Sequence, residues 1–115
     1  MNLKVGLLGG GSWGTTVASL TARNVPTIMW ARNPATVADI NENHRNEKYL
    51  PGAKLTASLK ATNSIEEAVR EADVLVMGVP AQSFRHVLEE AKPFIRPWIP
   101  IVSLSKGLEL SLIHI

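Results

Sequence analysis

One six-residue segment constrains the fold of this chain more than any other. Gly9-Gly10-Gly11-Ser12-Trp13-Gly14 has the spacing G-x-G-x-x-G, follows the short apolar run 3–8 and opens a helical pattern that extends to residue 24. In such a turn the first glycine permits the tight bend, the second lets the backbone approach a pyrophosphate, and the third lets the helix lie close to the sheet. The segment therefore predicts a dinucleotide-binding βαβ unit. The alternative is a plain glycine turn between a strand and a helix.

The rest of the chain continues this alternation of apolar runs and helical patterns. Strands are predicted at 3–8, 27–30, 59–62, 73–79 and 101–104, and helices at 12–24, 34–43, 64–72 and 83–92. Strands that alternate with helices form a parallel sheet with helices on both faces. The fold predicted is α/β, a doubly wound, Rossmann-type single domain. Within the first helix we expect Val17, Leu20 and Trp13 to face the sheet.

Residues suited to ligand binding follow the predicted strands. Ligands of such sheets bind outside the carboxyl ends of the strands. Glycine, proline, basic and small polar residues collect at this edge, namely Gly9 to Trp13, Ala31-Arg32-Asn33, Pro80-Ala81-Gln82 and Ser105-Lys106-Gly107. This composition is typical of a binding rim.

The end of the second strand bears on the choice of cofactor. Domains selective for NAD usually carry Asp or Glu about 20 residues past the glycine turn, where it binds the ribose 2′-hydroxyl. Here that place holds Trp30-Ala31-Arg32-Asn33, and the nearest acid, Asp39, lies inside the next helix. Arg32 can bind a 2′-phosphate or stack on adenine, or it can be a solvated surface residue. The sequence predicts NAD or NADP as cofactor, with NADP favoured.

Composition excludes several other classes of protein. The chain has 115 residues, enough for one domain, and its net charge of +2 gives no reason to expect nucleic acid as a partner. It contains no cysteine, and its three histidines lack the spacing of a metal site. No apolar run approaches the length of a membrane span, and no signal peptide is visible. We expect a cytoplasmic protein without a metal.

Five ordered motifs resemble the NAD(P)-dependent glycerol-3-phosphate dehydrogenase family. They are Gly-x-Gly-Ser-Trp-Gly-Thr at the glycine turn, Trp-x-Arg closing the second strand, and the segments Asn46 to Gly52, Val79 to Gln82 and Ser105 to Glu109. The resemblance extends over residues 3 to about 109, nearly the whole chain. The resemblance implies reversible reduction of dihydroxyacetone phosphate to sn-glycerol 3-phosphate, which feeds phospholipid synthesis.

The resemblance also implies roles for single residues. Ser12 and Trp13 would contact the cofactor phosphates and the adjoining ribose, Arg32 and Tyr49 would lie by the adenosine, and Lys106 would reach both cofactor and substrate. The cofactor site predicted from all these observations consists of Gly9, Gly11, Ser12, Trp13, Gly14, Arg32, Asn33, Tyr49, Pro80 and Lys106. Substrate is expected at Lys106. The catalytic lysine of the family belongs to a helical C-terminal domain, so we expect no catalytic residue in this chain.

The end of the chain departs from the family pattern. Residues 111–115 are apolar, and we expect them to form a tail, non-native or left by truncation, after a cofactor-binding domain of residues 1–110. A chain of this length is expected to be inactive by itself, and the full-length enzyme to form a homodimer. The alternatives are the cofactor domain of another hydroxyacid-type dehydrogenase and a non-catalytic NAD(P)-binding module.

Overall fold

The described strands form one mainly parallel sheet. A computed structural model describes residues 3–106 and 109–113, with side chains up to residue 104. The strands are β1 (Val5–Leu8), β2 (Thr27–Trp30), β3 (Lys60–Thr62), β4 (Val74–Met77), β5 (Ile101–Lys106) and β6 (Glu109–Ile113). They lie in the order β3-β2-β1-β4-β5-β6, and every neighbouring pair is parallel except β5 with β6. The five parallel strands confirm the predicted doubly wound, Rossmann-type fold.

Helices connect the parallel strands. They are α1 (Ser12–Ala22), α2 (Pro34–Ala38), α3 (Ile65–Val69) and α4 (Ala81–Ala91). A wider helical turn, Asp39–Asn43, continues α2, and a 3₁₀ turn, Lys92–Phe94, continues α4. The Ser64 hydroxyl accepts a hydrogen bond from the Glu67 N–H at 3.3 Å, as the capping-box spacing predicts. Among the described residues, no helix has the length and apolar character needed to cross a membrane.

The central strands are buried on both faces. Leu7 and Leu8 of β1 are fully buried and belong to different apolar clusters, so one lies on each face of the sheet. Met29 and Met77, in the strands on either side, are also fully buried. Strands covered by helices on both faces require such continuous apolar runs. The rigid sheet fixes the positions of the loops at its carboxyl edge.

Helix α1 faces the sheet with small residues, which corrects the prediction for two of its side chains. Its buried residues are Gly14, Thr15, Ala18, Ser19 and Ala22. Val17 is half-buried against the core, as predicted, but Leu20 is 53% exposed and Trp13 is 41% exposed. The reason is the short distance between helix and sheet: a Cβ at Gly14 would lie 3.0 Å from the Gly9 carbonyl oxygen. The larger side chains Leu20 and Trp13 therefore lie on the face of α1 that points away from the sheet.

Strand β6 is absent from the predicted order of elements. It pairs with β5 in antiparallel register, with Ile101 opposite Ile113 and Val102 opposite Leu112. The predicted boundary after residue 110 therefore falls inside β6. The division into a domain of residues 1–110 and a tail of residues 111–115 stays a prediction.

Candidate functional site

A cleft of about 640 Å³ lies at the carboxyl edge of the sheet, beside β1 and its two neighbours. Its lining consists of Gly9 to Trp13, Ala31 to Asn33, Thr36, Tyr49, Gly78 to Pro80 and Leu104. The order of the strands reverses at β1, because β2 and β3 lie on one side of it and β4 and β5 on the other. Open α/β sheets bind their ligands at such a reversal of strand order. The fold therefore places the predicted rim around one crevice.

The turn after β1 requires glycine at its first position. Gly9 has a φ of +135°, a conformation that L side chains rarely adopt. A Cβ at this position would lie 2.6 Å from the Gly78 carbonyl oxygen. The Gly9 N–H donates to the Trp30 carbonyl oxygen at 2.9 Å, which ties the turn to the end of β2. The turn can therefore pass tightly between the ends of β2 and β4.

The second glycine of the motif leaves open space in the cleft. A Cβ at Gly11 would meet no other described atom within 4 Å, apart from its chain neighbours. Gly11 is the N-cap of α1, where no side chain accepts a hydrogen bond and no acidic residue occupies the first turn. The N–H groups of a first helical turn have no acceptor within the helix, and together with the positive end of the helix dipole they favour an anion at this position. The geometry suits a phosphate group held by backbone N–H groups.

The third glycine has a packing role. Gly14 is buried and is not part of the lining of the cleft. A Cβ at Gly78 would come within 3.2 Å of the Gly14 Cα, so helix α1 and the end of β4 meet through two glycines. Gly14 therefore shapes the site from beneath.

Arg32 lies at the end of β2 on the rim of the cleft. Its guanidinium carbon lies 5.1 Å from the centroid of the Trp30 ring, and its Nη2 lies 3.9 Å from Glu90 Oε1. The side chain is 64% exposed. Among the described residues that line the cleft, Arg32 carries the one full charge and no carboxylate is present. The electrostatics of the cleft at this end favour an anionic ligand.

Asn33 and Asp39 have local partners near the same end. Asn33 Oδ1 accepts a hydrogen bond from the Ala35 N–H at 2.8 Å and so caps α2, with Pro34 in the first turn. The pKa of Asp39 is held below its ordinary value by two hydrogen bonds. The larger effect comes from the Glu47 N–H, which donates to Asp39 Oδ2 at 3.0 Å, and the smaller from the Asn43 amide. Asp39 is charged, but it lies outside the lining of the cleft.

Comparison with known proteins identifies the family. Residues 4–114 match the family described as NAD-dependent glycerol-3-phosphate dehydrogenase N-terminus. The chain belongs to this family. This decides against the alternative of another hydroxyacid-type dehydrogenase.

Relatives and solved structures agree with the match. The chain is 61% identical over 111 residues to glycerol-3-phosphate dehydrogenase [NAD(P)+] 2 of Sphingopyxis alaskensis, with 96% of this chain and 33% of that protein covered. It is 56% identical over 107 residues to a Mycobacterium tuberculosis glycerol-3-phosphate dehydrogenase [NAD(P)+], covering 92% and 31%. The Saccharomyces cerevisiae glycerol-3-phosphate dehydrogenase structure has a TM-score of 0.85 at 30% identity, covering 95% of this chain and 35% of that one. The chain thus spans about one third of the length of its relatives.

Most residues of the predicted site line the cleft of this family member. The lining includes eight of the predicted residues, namely Gly9, Gly11, Ser12, Trp13, Arg32, Asn33, Tyr49 and Pro80. Gly14 is buried beneath the cleft. Lys106 ends β5, but its side chain lies outside the described part of the chain, as does Gly107. Leu104 of the same strand lines the cleft, which brings the carboxyl end of β5 beside it.

Sequence reasoning missed several lining residues and one buried residue behind them. Beyond the predicted rim, the cleft is also lined by Thr36, Gly78, Val79 and Leu104. Most of these lie beside predicted site residues at strand ends, so the same rule could have included them. Asn46 is 1% exposed and bonds to the glycine turn, a contact that no local pattern reveals.

Proposed function

We propose that this domain binds NAD(P)H with the pyrophosphate at the N-terminus of α1. The observation that supports this most directly is the open space at Gly11, beneath an uncapped helix end without acidic residues. Backbone N–H groups at a helix N-terminus are suited to phosphate oxygens. The lining of the cleft is otherwise mostly apolar, as dinucleotide and other small-molecule sites usually are.

The proposed cofactor lies across the cleft with its adenosine toward β2 and its nicotinamide toward β4 and β5. Arg32 and Asn33 follow β2 and line the cleft together with Tyr49, so we propose that these three residues contact the adenosine. Pro80 follows β4 and Lys106 is the last residue of β5, so we propose both for the nicotinamide end. The bound nicotinamide supplies hydride chemistry, and this domain fixes its position.

Arg32 and the missing carboxylate support acceptance of NADP as well as NAD. A carboxylate at the end of β2 would bind the ribose 2′-hydroxyl and repel a 2′-phosphate. The described lining offers a guanidinium instead, on the rim and more than half exposed. Guanidinium groups bind phosphate through two parallel hydrogen bonds.

For the complete protein we propose interconversion of dihydroxyacetone phosphate and sn-glycerol 3-phosphate with NAD(P)H, which supplies glycerophospholipid synthesis. Support comes from family membership and from the relatives, which are called glycerol-3-phosphate dehydrogenases [NAD(P)+]. Lys106 is proposed to contact the phosphorylated substrate, and the catalytic lysine is proposed to lie beyond residue 115. The expected cytoplasmic location and homodimer stay predictions.

Two measurements on the same protein test cofactor binding and substrate turnover separately. The full-length protein is titrated with NADH and NADPH, and oxidation of each is then followed with dihydroxyacetone phosphate. We expect saturable binding of both cofactors and oxidation that depends on dihydroxyacetone phosphate. Binding without such oxidation would favour the non-catalytic module, and absence of binding would contradict the proposal for the cleft.

A further inference from the structure

A buried side chain from a distant loop bonds to the glycine turn. Asn46 lies in the loop after the helical turn Asp39–Asn43, and its side chain is almost completely buried. Its Nδ2 donates to the Gly10 carbonyl oxygen at 3.0 Å and to Thr15 Oγ1 at 2.8 Å. These partners lie 36 and 31 residues away in the sequence. The contact therefore joins the second βα unit to the turn of the first.

The Gly10 carbonyl group is held from the inside of the protein by two donors. Thr15 is fully buried on α1, and its Oγ1 donates to the Gly10 carbonyl oxygen at 3.4 Å. Asn46 supplies the second and shorter hydrogen bond to the same oxygen. The direction of this carbonyl is therefore fixed toward the interior.

The direction of the Gly10 carbonyl determines the direction of the next N–H. In a planar trans peptide the C=O and the following N–H point to opposite sides. A carbonyl oxygen of Gly10 that faces the interior therefore turns the N–H of Gly11 outward. The side chain position of Gly11 is open to the cleft, so this side of the turn has space for a ligand.

The two polar atoms of the Asn46 side chain differ in their contacts. Asn46 Oδ1 is buried and has no hydrogen-bond partner among the described residues. A buried acceptor without a partner is unfavourable, which offsets part of what the two donated bonds contribute to stability. What remains is the geometric effect, namely a fixed orientation of the Gly10–Gly11 peptide.

We infer that Asn46 is a positioning residue for the phosphates of the cofactor. Its amide holds the Gly10 carbonyl inward, so that the Gly11 N–H faces the place of the pyrophosphate before any ligand arrives. A preorganised donor binds an anion without the cost of reorienting the peptide. The inference rests on the proposed function of the cleft.

The test compares Asn46→Ala with the parent in the full-length protein. Isothermal titration measures the affinities for NADH, ADP and adenosine. We expect a loss of about tenfold or more for NADH and ADP, the scale of one charge-assisted hydrogen bond, and a loss below about twofold for adenosine, which carries no phosphate. With dihydroxyacetone phosphate, KM for NADH should rise and kcat should change little.

Asn41→Ala is the matched control. The Asn41 side chain makes two hydrogen bonds to the backbone of Ala61, at 2.9 and 2.8 Å, and lies away from the glycine turn. This variant should lose stability but keep the parental affinities for all three ligands. If Asn46→Ala fails to fold, Asn46→Leu serves instead, because it also removes the donor to Gly10 but fills a similar volume, and the same losses of affinity are expected.

The outcomes separate this inference from the proposed function. If the parent binds NADH and Asn46→Ala binds it equally well, Asn46 does not position the phosphates. Equal losses for adenosine and NADH would also overturn the inference, because they would indicate general damage to the site. A parent that does not bind NADH would contradict the proposed function itself.

Discussion

The guanidinium of Arg32 stacks over the ring of Trp30, 5.1 Å from its centroid, at the rim of the cleft. Stacking of this kind contributes about 0.5–1 kcal/mol at an exposed site and leaves the N–H groups of the arginine able to bind a ligand. The stacking thus holds Arg32 at the proposed adenosine end. Its ion pair with Glu90 is weak, because the two groups are exposed and 3.9 Å apart, so the guanidinium can still bind a ligand.

Replacement of Arg32 by alanine is expected to reduce NADPH affinity more than NADH affinity. The lost contact is a charge-assisted hydrogen bond to the 2′-phosphate, so the NADPH affinity should fall about tenfold or more. Titration of both cofactors into the full-length protein measures the ratio. Equal weakening of both would mean that Arg32 contacts only the adenine.

Glu90 is expected to oppose NADPH binding. Its Oε1 lies 2.8 Å from His86 Nε2 and 3.9 Å from Arg32 Nη2, so its charge competes with a 2′-phosphate for the same guanidinium. Glu90→Gln should raise NADPH affinity by a few fold at low salt and leave NADH affinity unchanged. Glu89→Gln, an exposed neighbour, is the control. A parallel change for both cofactors would contradict this prediction.

The carboxylate of Asp73 should make the fold sensitive to acid. Hydrogen bonds from the Lys4 N–H, at 2.8 Å, and then from Arg96 hold its pKa below the ordinary value. A group whose pKa is lower in the folded state stabilises the protein above its unfolded pKa, about 3.9 for Asp. That contribution is lost as the pH falls through the folded pKa.

Thermal unfolding as a function of pH measures this effect. The parent should lose stability as the pH falls from about 5 toward 2, and Asp73→Asn should show a flatter decline over the same range. A hydrogen bond from Lys4, and then the charge of Arg96, also lower the pKa of Glu71. Some pH dependence of stability should therefore remain in the variant. Identical slopes for parent and variant would show that Asp73 does not contribute.

Lys106 is expected to act on the substrate more than on the cofactor. It ends β5, whose Leu104 lines the cleft, and a lysine ammonium has three donors for a carbonyl oxygen or a phosphate. In the full-length protein Lys106→Ala should reduce kcat with dihydroxyacetone phosphate by a large factor, while the affinity for NADH falls much less. Lys106→Arg should not restore turnover, because its guanidinium is planar and bulkier. Near-parental turnover of the alanine variant would contradict the role.

Local patterns predicted the sheet and most of the rim because both depend on short-range features. Apolar runs, caps and turn residues identify each element, and the ends of parallel strands meet at one edge. Local patterns do not predict β6. The segment Glu109–Ile113 begins with alternating polar and apolar residues, but its apolar end is equally typical of a tail.

Other features depend on contacts that a local pattern does not contain. Leu20 has the spacing of a core residue, but the glycine contact between α1 and the sheet leaves room only for small side chains. The sequence places Asn46 in a family segment, whereas its proposed role depends on a hydrogen bond across 36 residues. Long-range polar contacts of this kind require the folded arrangement of two βα units.

Gly11→Ala tests the central claim, that the cleft binds the cofactor phosphates at the glycine turn. The backbone of Gly11, with φ −75° and ψ 179°, suits any L residue, and the added methyl group would meet no described atom within 4 Å apart from its chain neighbours. The variant should therefore unfold at the parental temperature but bind NADH at least about tenfold more weakly, because the methyl group occupies the phosphate position. A folded Gly11→Ala protein that binds NADH with parental affinity would contradict the account.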